Sequence, residues 1–198
     1  MASLVALLLV PATALADADP ASDVLLGESV FYPYTPRVSV AVEQVLDAEV
    51  ATAAKRQFPI KVALIASPVD LGAIPALYGK PQQYADFLDQ EISFTGKQRL
   101  LVVMPSGFGV QGLGPAATRA AASLGKPSGA SSDALARAAT VAVARLAAAS
   151  GHPIAGVAAP SSASSGGGSS PLVLLVIVIL VAAAAAGAVI AVRRRATR

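Results

Sequence analysis

Ser67 and Ser106 are the residues of this chain best placed by type and spacing for nucleophilic chemistry. Each closes an apolar run, IKVALIA at 60–66 and LLVVM at 100–104, and each stands beside a proline or glycine. In α/β folds the loops after strands carry function. Asp70 lies in the loop behind Ser67, so Ser67, Asp70 and Ser106 form the candidate set for a hydrolase of phosphoesters. Each of the three also suits an ordinary turn. A general base is what the set lacks. His152 is the only histidine, between Gly151 and Pro153 at a domain margin, and a base must reach its nucleophile and be oriented there. No Ser-His-Asp triad is expected, and no catalytic residue is assigned. Asp86 and Asp89, spaced i, i+3 with Glu91 nearby, are the candidates for a hard cation such as calcium. That ion takes six to eight oxygen ligands, and two carboxylates fall short, so no metal or other cofactor is expected and a solvated helix face is the default.

Gly107, Gly109 and Gly112 match G-x-G-x-x-G behind a strand and ahead of a helix, where a dinucleotide site would lie. Such a site opens its fold on the first strand and has an acidic residue about twenty positions on at a strand end. Here earlier elements precede the motif, and the next acidic residue, Asp133, stands before a helix. A glycine-rich turn is the expectation. There is no G-x-x-x-x-G-K-[ST]. The chain also has no cysteine, which excludes thiol chemistry, disulfides and thiolate-bound metal.

Charge excludes a further class. The sequence pI is about 9.4, yet Arg193, Arg194, Arg195 and Arg198 crowd the last six of 198 positions. Without them eleven basic residues face twelve acidic ones. A nucleic-acid-binding domain needs a clustered basic footprint, and none is legible along this chain.

The elements that must position these residues alternate strand and helix. Residues 38–57 carry Val38, Val42, Val45, Leu46, Val50 and Ala53 at helical spacing, with Ser39 as N-cap and Pro59 as the stop. Residues 60–66 form a strand. Residues 81–92 form a helix with Pro81 in its first turn, an inward stripe of Tyr84, Phe87 and Leu88, and Asp86 and Asp89 outside it. Thr95-Gly96-Lys97 turns the chain into the strand at 100–104, which carries no polar side chain and suits a place covered on both faces. Pro105 ends it. Helices follow at 115–124 and 132–149, the latter capped by Ser131 or Ser132. This order predicts an α/β fold, a small three-layer α/β/α sandwich with a mostly parallel central sheet. Residues 17–37 read as a loop-rich lead-in with one short strand at 29–32, whose Phe31, Tyr32 and Tyr34 cover a sheet edge.

The two ends of the chain address it to a membrane. Residues 1–16 hold an apolar run and finish in Ala14-Leu15-Ala16, the small-x-small pattern of a cleaved signal peptide; a buried N-terminal helix is the alternative. No Lys or Arg precedes Arg37, so either the n-region lies upstream or the apolar run alone directs export. The domain proper spans 38–152. Residues 153–171 form a Gly/Ser-rich tether, seventeen residues of which (155–171) reach roughly 20–25 Å. Residues 172–192 contain no charged or polar side chain, enough to cross a bilayer core of about 30 Å. Arg193, Arg194 and Arg195 then flank the anchor, and the positive-inside rule puts the tail (193–198) in the cytoplasm and the domain outside. Ala183, Gly187 and Ala191 give the segment a small-residue face through which two copies could associate.

Over residues 38–150 this order of elements resembles the TPM-domain family of bacterial membrane-associated and thylakoid-lumen proteins. KRQFPIKVALIASPVDLG at 55–72, PQQYADFLDQEI at 81–92 and RLLVVMPSGFGVQGLG at 99–114, followed by two alanine-rich helices, carry the resemblance. It implies a small α/β/α sandwich, linked in some members to calcium binding, phosphatase activity or maintenance of membrane complexes. Family members often have an Asp-Asn-Gly-like turn before the central strand and an acidic residue after the glycine turn. Here Thr95-Gly96-Lys97-Gln98-Arg99 and Leu113-Gly114-Pro115 stand in those places, which fits a non-catalytic member. The expectation is a single-pass, extracytoplasmic domain that engages another envelope or membrane protein, with a phosphatase-like hydrolase as the alternative.

Overall fold

The structure is a computed structural model, and it describes residues 19–154. The signal-peptide segment, the tether from residue 155, the apolar segment with Ala183, Gly187 and Ala191, and Arg193–Arg195 all lie outside the described residues. Among the described residues no helix is long and apolar enough to cross a membrane.

In chain order the elements are α1 (Pro20–Gly27), β1 (Val30–Phe31), α2 (Val40–Lys55), β2 (Lys61–Leu64), α3 (Pro81–Ile92), β3 (Leu100–Met104), β4 (Gly107–Gln111), α4 (Pro115–Ala122) and α5 (Ser132–Ala149). The strands form one mixed sheet in the order β1-β2-β3-β4. β1 and β2 pair in parallel, as do β2 and β3, while β4 runs antiparallel to β3. The α/β expectation is met.

Strand periodicity divides the interior in two. Val62, Leu64, Leu101 and Val103 join the buried residues of α2, α4 and α5 in one apolar cluster. Their alternates Ala63, Ile65, Leu100, Val102 and Met104 join those of α1 and α3 in the other. All five residues of β3 are buried. Along α2, Val42, Leu46, Val50 and Ala53 face the core together with Glu49, whereas Val45, expected in the stripe, is 38% exposed. Ser39 stands at the N-cap without a capping side-chain bond. Its hydroxyl donates to Asp133 Oδ2 at 2.9 Å and its backbone N–H to Oδ1 at 2.7 Å, so the helix starts of α2 and α5 are joined. These bonds hold the Asp133 carboxyl below its ordinary pKa. Ser131 is the α5 cap, accepting from the Ala134 N–H at 3.2 Å.

Two expectations change. The lead-in holds a helix, α1, whose N-cap is Asp19 with Pro20 in the first turn, a strong start signal. Ala21, Leu25 and Phe31 are core residues. Tyr32 reaches the opposite layer, its hydroxyl donating to Asp47 Oδ1 at 2.8 Å.

The glycine-rich stretch is a strand instead of a turn. Met104 pairs with Gly107, so Pro105 and Ser106 make a two-residue hairpin loop and β4 folds back along β3. Gly109 is required because α3 begins against it: a Cβ there would lie 2.0 Å from the Pro81 carbonyl oxygen. At Gly112, φ is +68° and a Cβ would meet the Gln98 carbonyl at 1.9 Å. The edge of β4 is occupied by a side chain. Gln82 Oε1 accepts from the Val110 N–H at 3.1 Å and its Nε2 donates to the Val110 carbonyl at 2.9 Å.

Beneath α1, Asp19 is 1% exposed, and Tyr84 donates its hydroxyl to Asp19 Oδ1 at 2.7 Å. Burial raises the Asp19 pKa above its ordinary 3.8, while the bonds from Tyr84, Ala21 and Ser22 oppose the rise. The folded state therefore binds the proton more tightly than the unfolded chain. The Asp19 contribution is fully present below pH 3.8 and is lost as pH rises through the folded pKa. Urea denaturation across pH should show wild type losing stability over that window relative to Asp19→Asn, which keeps a capping side chain. Gly109→Ala should cost about 1–3 kcal/mol in the same assay, the cost of an overpacked core. Gly27→Ala, whose Cβ would meet nothing within 4 Å, should be neutral or slightly stabilising.

Candidate functional site

Parallel pairing gives the sheet a carboxyl end and an amino end, and the candidates divide between them. At the carboxyl end the Ile65 N–H donates to the Val103 carbonyl at 2.9 Å, which carries the β2–β3 pairing past Leu64. Ser67 and Ser106 therefore leave adjacent strands at the same end. Asp70 sits in a 3₁₀ turn, Pro68–Leu71, that Ser67 caps. Its carboxylate is 1% exposed. Oδ2 accepts from the backbone N–H groups of Ala66 (3.0 Å) and Ser67 (2.8 Å) and from the Ser67 hydroxyl (3.1 Å). Oδ1 accepts from the Tyr34 N–H at 3.4 Å. Four donors converge on this group, so it closes the loop between β2 and α3 and ties the segment that follows β1 to it. Ser67 is a donor in that arrangement. The Ser106 hydroxyl differs: it is buried and has no hydrogen-bond partner.

The histidine lies at the other end. The His152 ring is tilted against Phe58 with centroids 6.1 Å apart, and Phe58 precedes β2. The structure does not bring it to Ser67 or Ser106.

The carboxylates of α3 are separately engaged. Asp86 Oδ1 accepts from Gln82 Nε2 at 2.7 Å and from Gln111 Nε2 at 2.6 Å, so Asp86 helps fasten α3 to β4 and is half-buried instead of wholly solvated. Asp89 Oδ1 accepts from the Ser93 hydroxyl at 3.0 Å and finishes the helix. Among the described residues no three His, Asp or Glu side chains are grouped so as to hold a metal ion. The G-x-G-x-x-G stretch forms no phosphate cradle, because its backbone is spent pairing with β3 and packing on Pro81.

At the amino end lies a cleft of about 390 Å³. Lys61 enters it from the start of β2, and Lys97, Gln98 and Arg99 from the approach to β3; Ala54 of α2 and Gly112 after β4 complete its sides. Lys61 donates from Nζ to the Glu28 carbonyl at 2.6 Å. Burial pulls its pKa down against the pull of the Glu28 charge. The Arg99 guanidinium stacks 4.9 Å over the Phe58 ring, a cation–π arrangement, and Nη1 donates to the Pro59 carbonyl at 3.4 Å. Sequence reading passed over this cleft because Lys61 and Arg99 are distant along the chain. The usable signal was a basic residue at the mouth of each of two parallel strands.

Compared with known proteins, the chain matches no family model, no curated protein and no solved structure.

The Asp70 geometry makes a stability prediction. Asp70→Ala should strand buried donors at about 1–3 kcal/mol each, lowering the thermal midpoint strongly. His152→Ala should leave the loop around Ser67 unchanged by hydrogen exchange.

Proposed function

We propose that this chain is a membrane-tethered extracytoplasmic domain of the TPM type, a three-layer α/β/α sandwich held by a C-terminal transmembrane helix, and that it works by engaging another envelope or membrane protein without catalysis of its own. The observation that carries this reading is the commitment of Asp70, whose carboxylate already serves four donors of its own loop. The apolar segment at 172–192, the arginines after it and the Gly/Ser tether before it support the anchored topology. One observation favours a second reading, a phosphatase-like hydrolase: Ser106 keeps a buried hydroxyl that bonds to nothing.

Crosslinking of the full chain in intact membranes should recover the same envelope protein in repeated captures, with the domain open to protease from outside and the arginine tail protected. Background alone, or an accessible tail, overturns the reading. Ser106→Ala separates the hydrolase, because removing a hydroxyl without a partner breaks no bond of the fold. Phosphoester turnover present in the wild type and lost in that variant would establish the second reading, and no turnover in either would discard it.

A further inference from the structure

The amino end of the sheet gathers positive charge that the chain without its terminal arginines does not have. α2 ends in Lys55 and Arg56, β2 starts at Lys61, and Lys97 and Arg99 lead into β3. Parallel pairing of β2 with β3 sets these starts side by side, and Ala54, Lys61, Lys97 and Arg99 line one cleft. Glu28 is the acidic group whose charge reaches Lys61. Three positions before Lys97, in the turn Ser93–Thr95 that leads from α3 toward β3, Phe94 is 74% exposed. A large apolar side chain in water beside converging cations is the composition of a surface that enters the boundary of an anionic bilayer.

The path of the chain supplies the second argument. His152, two residues before the last described residue, lies against Phe58 with ring centroids 6.1 Å apart, and Phe58 carries Arg99 on its face. The described chain therefore approaches its end beside Arg99, a residue of the basic cleft. In the topology proposed above, only the Gly/Ser-rich residues 155–171 separate the domain from its anchor, so the domain would stay close to the bilayer.

We infer that the amino end of the sheet, with Phe94 as its apolar wedge and Lys61, Lys97 and Arg99 around it, docks on anionic phospholipid headgroups of the membrane in which the chain is anchored. This rests on the anchored topology proposed above. Lipid phosphates lie against the cleft and Phe94 enters the headgroup–acyl boundary.

The chain contains no tryptophan, so Phe94→Trp in the full chain is a single reporter at an exposed position. The protein is reconstituted in phosphatidylcholine vesicles with and without phosphatidylglycerol, and flotation shows whether it is anchored. With phosphatidylglycerol, the indole emission of this variant should shift to the blue and be quenched by brominated lipid, and Lys97→Glu or molar salt, which shortens the Debye length to about 3 Å, should reverse both. Emission that is equal in the two lipids overturns the docking while flotation leaves the anchor intact. Failure to float with either lipid overturns anchor and docking together. Reversal of the shift by inorganic phosphate at matched ionic strength would assign the cleft to a small anion and overturn the lipid assignment.

Discussion

Leu100–Met104 offers water no polar side chain on either side: Leu100, Val102 and Met104 belong to one buried cluster and Leu101 and Val103 to the other. A strand of that kind is stable only when both of its faces are covered, and the remaining elements can be understood as the covering. α2, α4 and α5 supply one lid and α1 and α3 the other. The connections follow from the same demand. β1, β2 and β3 run parallel, and α2 and α3 are the crossovers between them, one on each face. Asp133 then ties the start of α5 to that of α2 by its two bonds to Ser39.

Parallel order also decides where polar groups can collect. Backbone and side-chain donors at the carboxyl end converge on Asp70, which turns a candidate acid into the clasp of a loop. At the amino end basic residues collect instead: Lys61, Lys97 and Arg99 line one cleft. Lys61 and Arg99 find carbonyls and an aromatic face, and the Glu28 charge also acts on Lys61. The polarity of the sheet, with a clasped carboxylate at one end and clustered basic residues at the other, is a property of topology more than of composition, since the chain without its terminal arginines is close to neutral.

Much of this was legible in the residues. The strand at 100–104, the helices at 81–92 and 132–149 and the turn at Ser67 fall where periodicity and proline placement put them, because burial on one stripe or both faces leaves a direct pattern. The failures have physical causes. Glycine is disfavoured in strands, so GFGVQ reads as a turn; it becomes β4 by pairing back along β3, and its Gly109 is needed because Pro81, distant in sequence, packs too close for a side chain there. Asp19-Pro20 carries a helix start, but the eight residues of that helix are too short a run for periodicity to set them apart from a loop-rich lead-in. Asp86 looked solvated because its partner Gln111 lies on that unforeseen strand. The basic cleft was hidden for the same reason as the hairpin: it exists only once strands are paired.

The amide of Gln82 on Val110 bears on how copies of this domain behave in company. A sheet edge recruits foreign strands through its unsatisfied N–H and C=O groups, and at Val110 both are already taken by a side chain of the same molecule. The opposite edge, β1, is only two residues long, too short a template for a stable ladder. Where copies of this domain are crowded together, these two edges offer them little on which to extend one another's sheets.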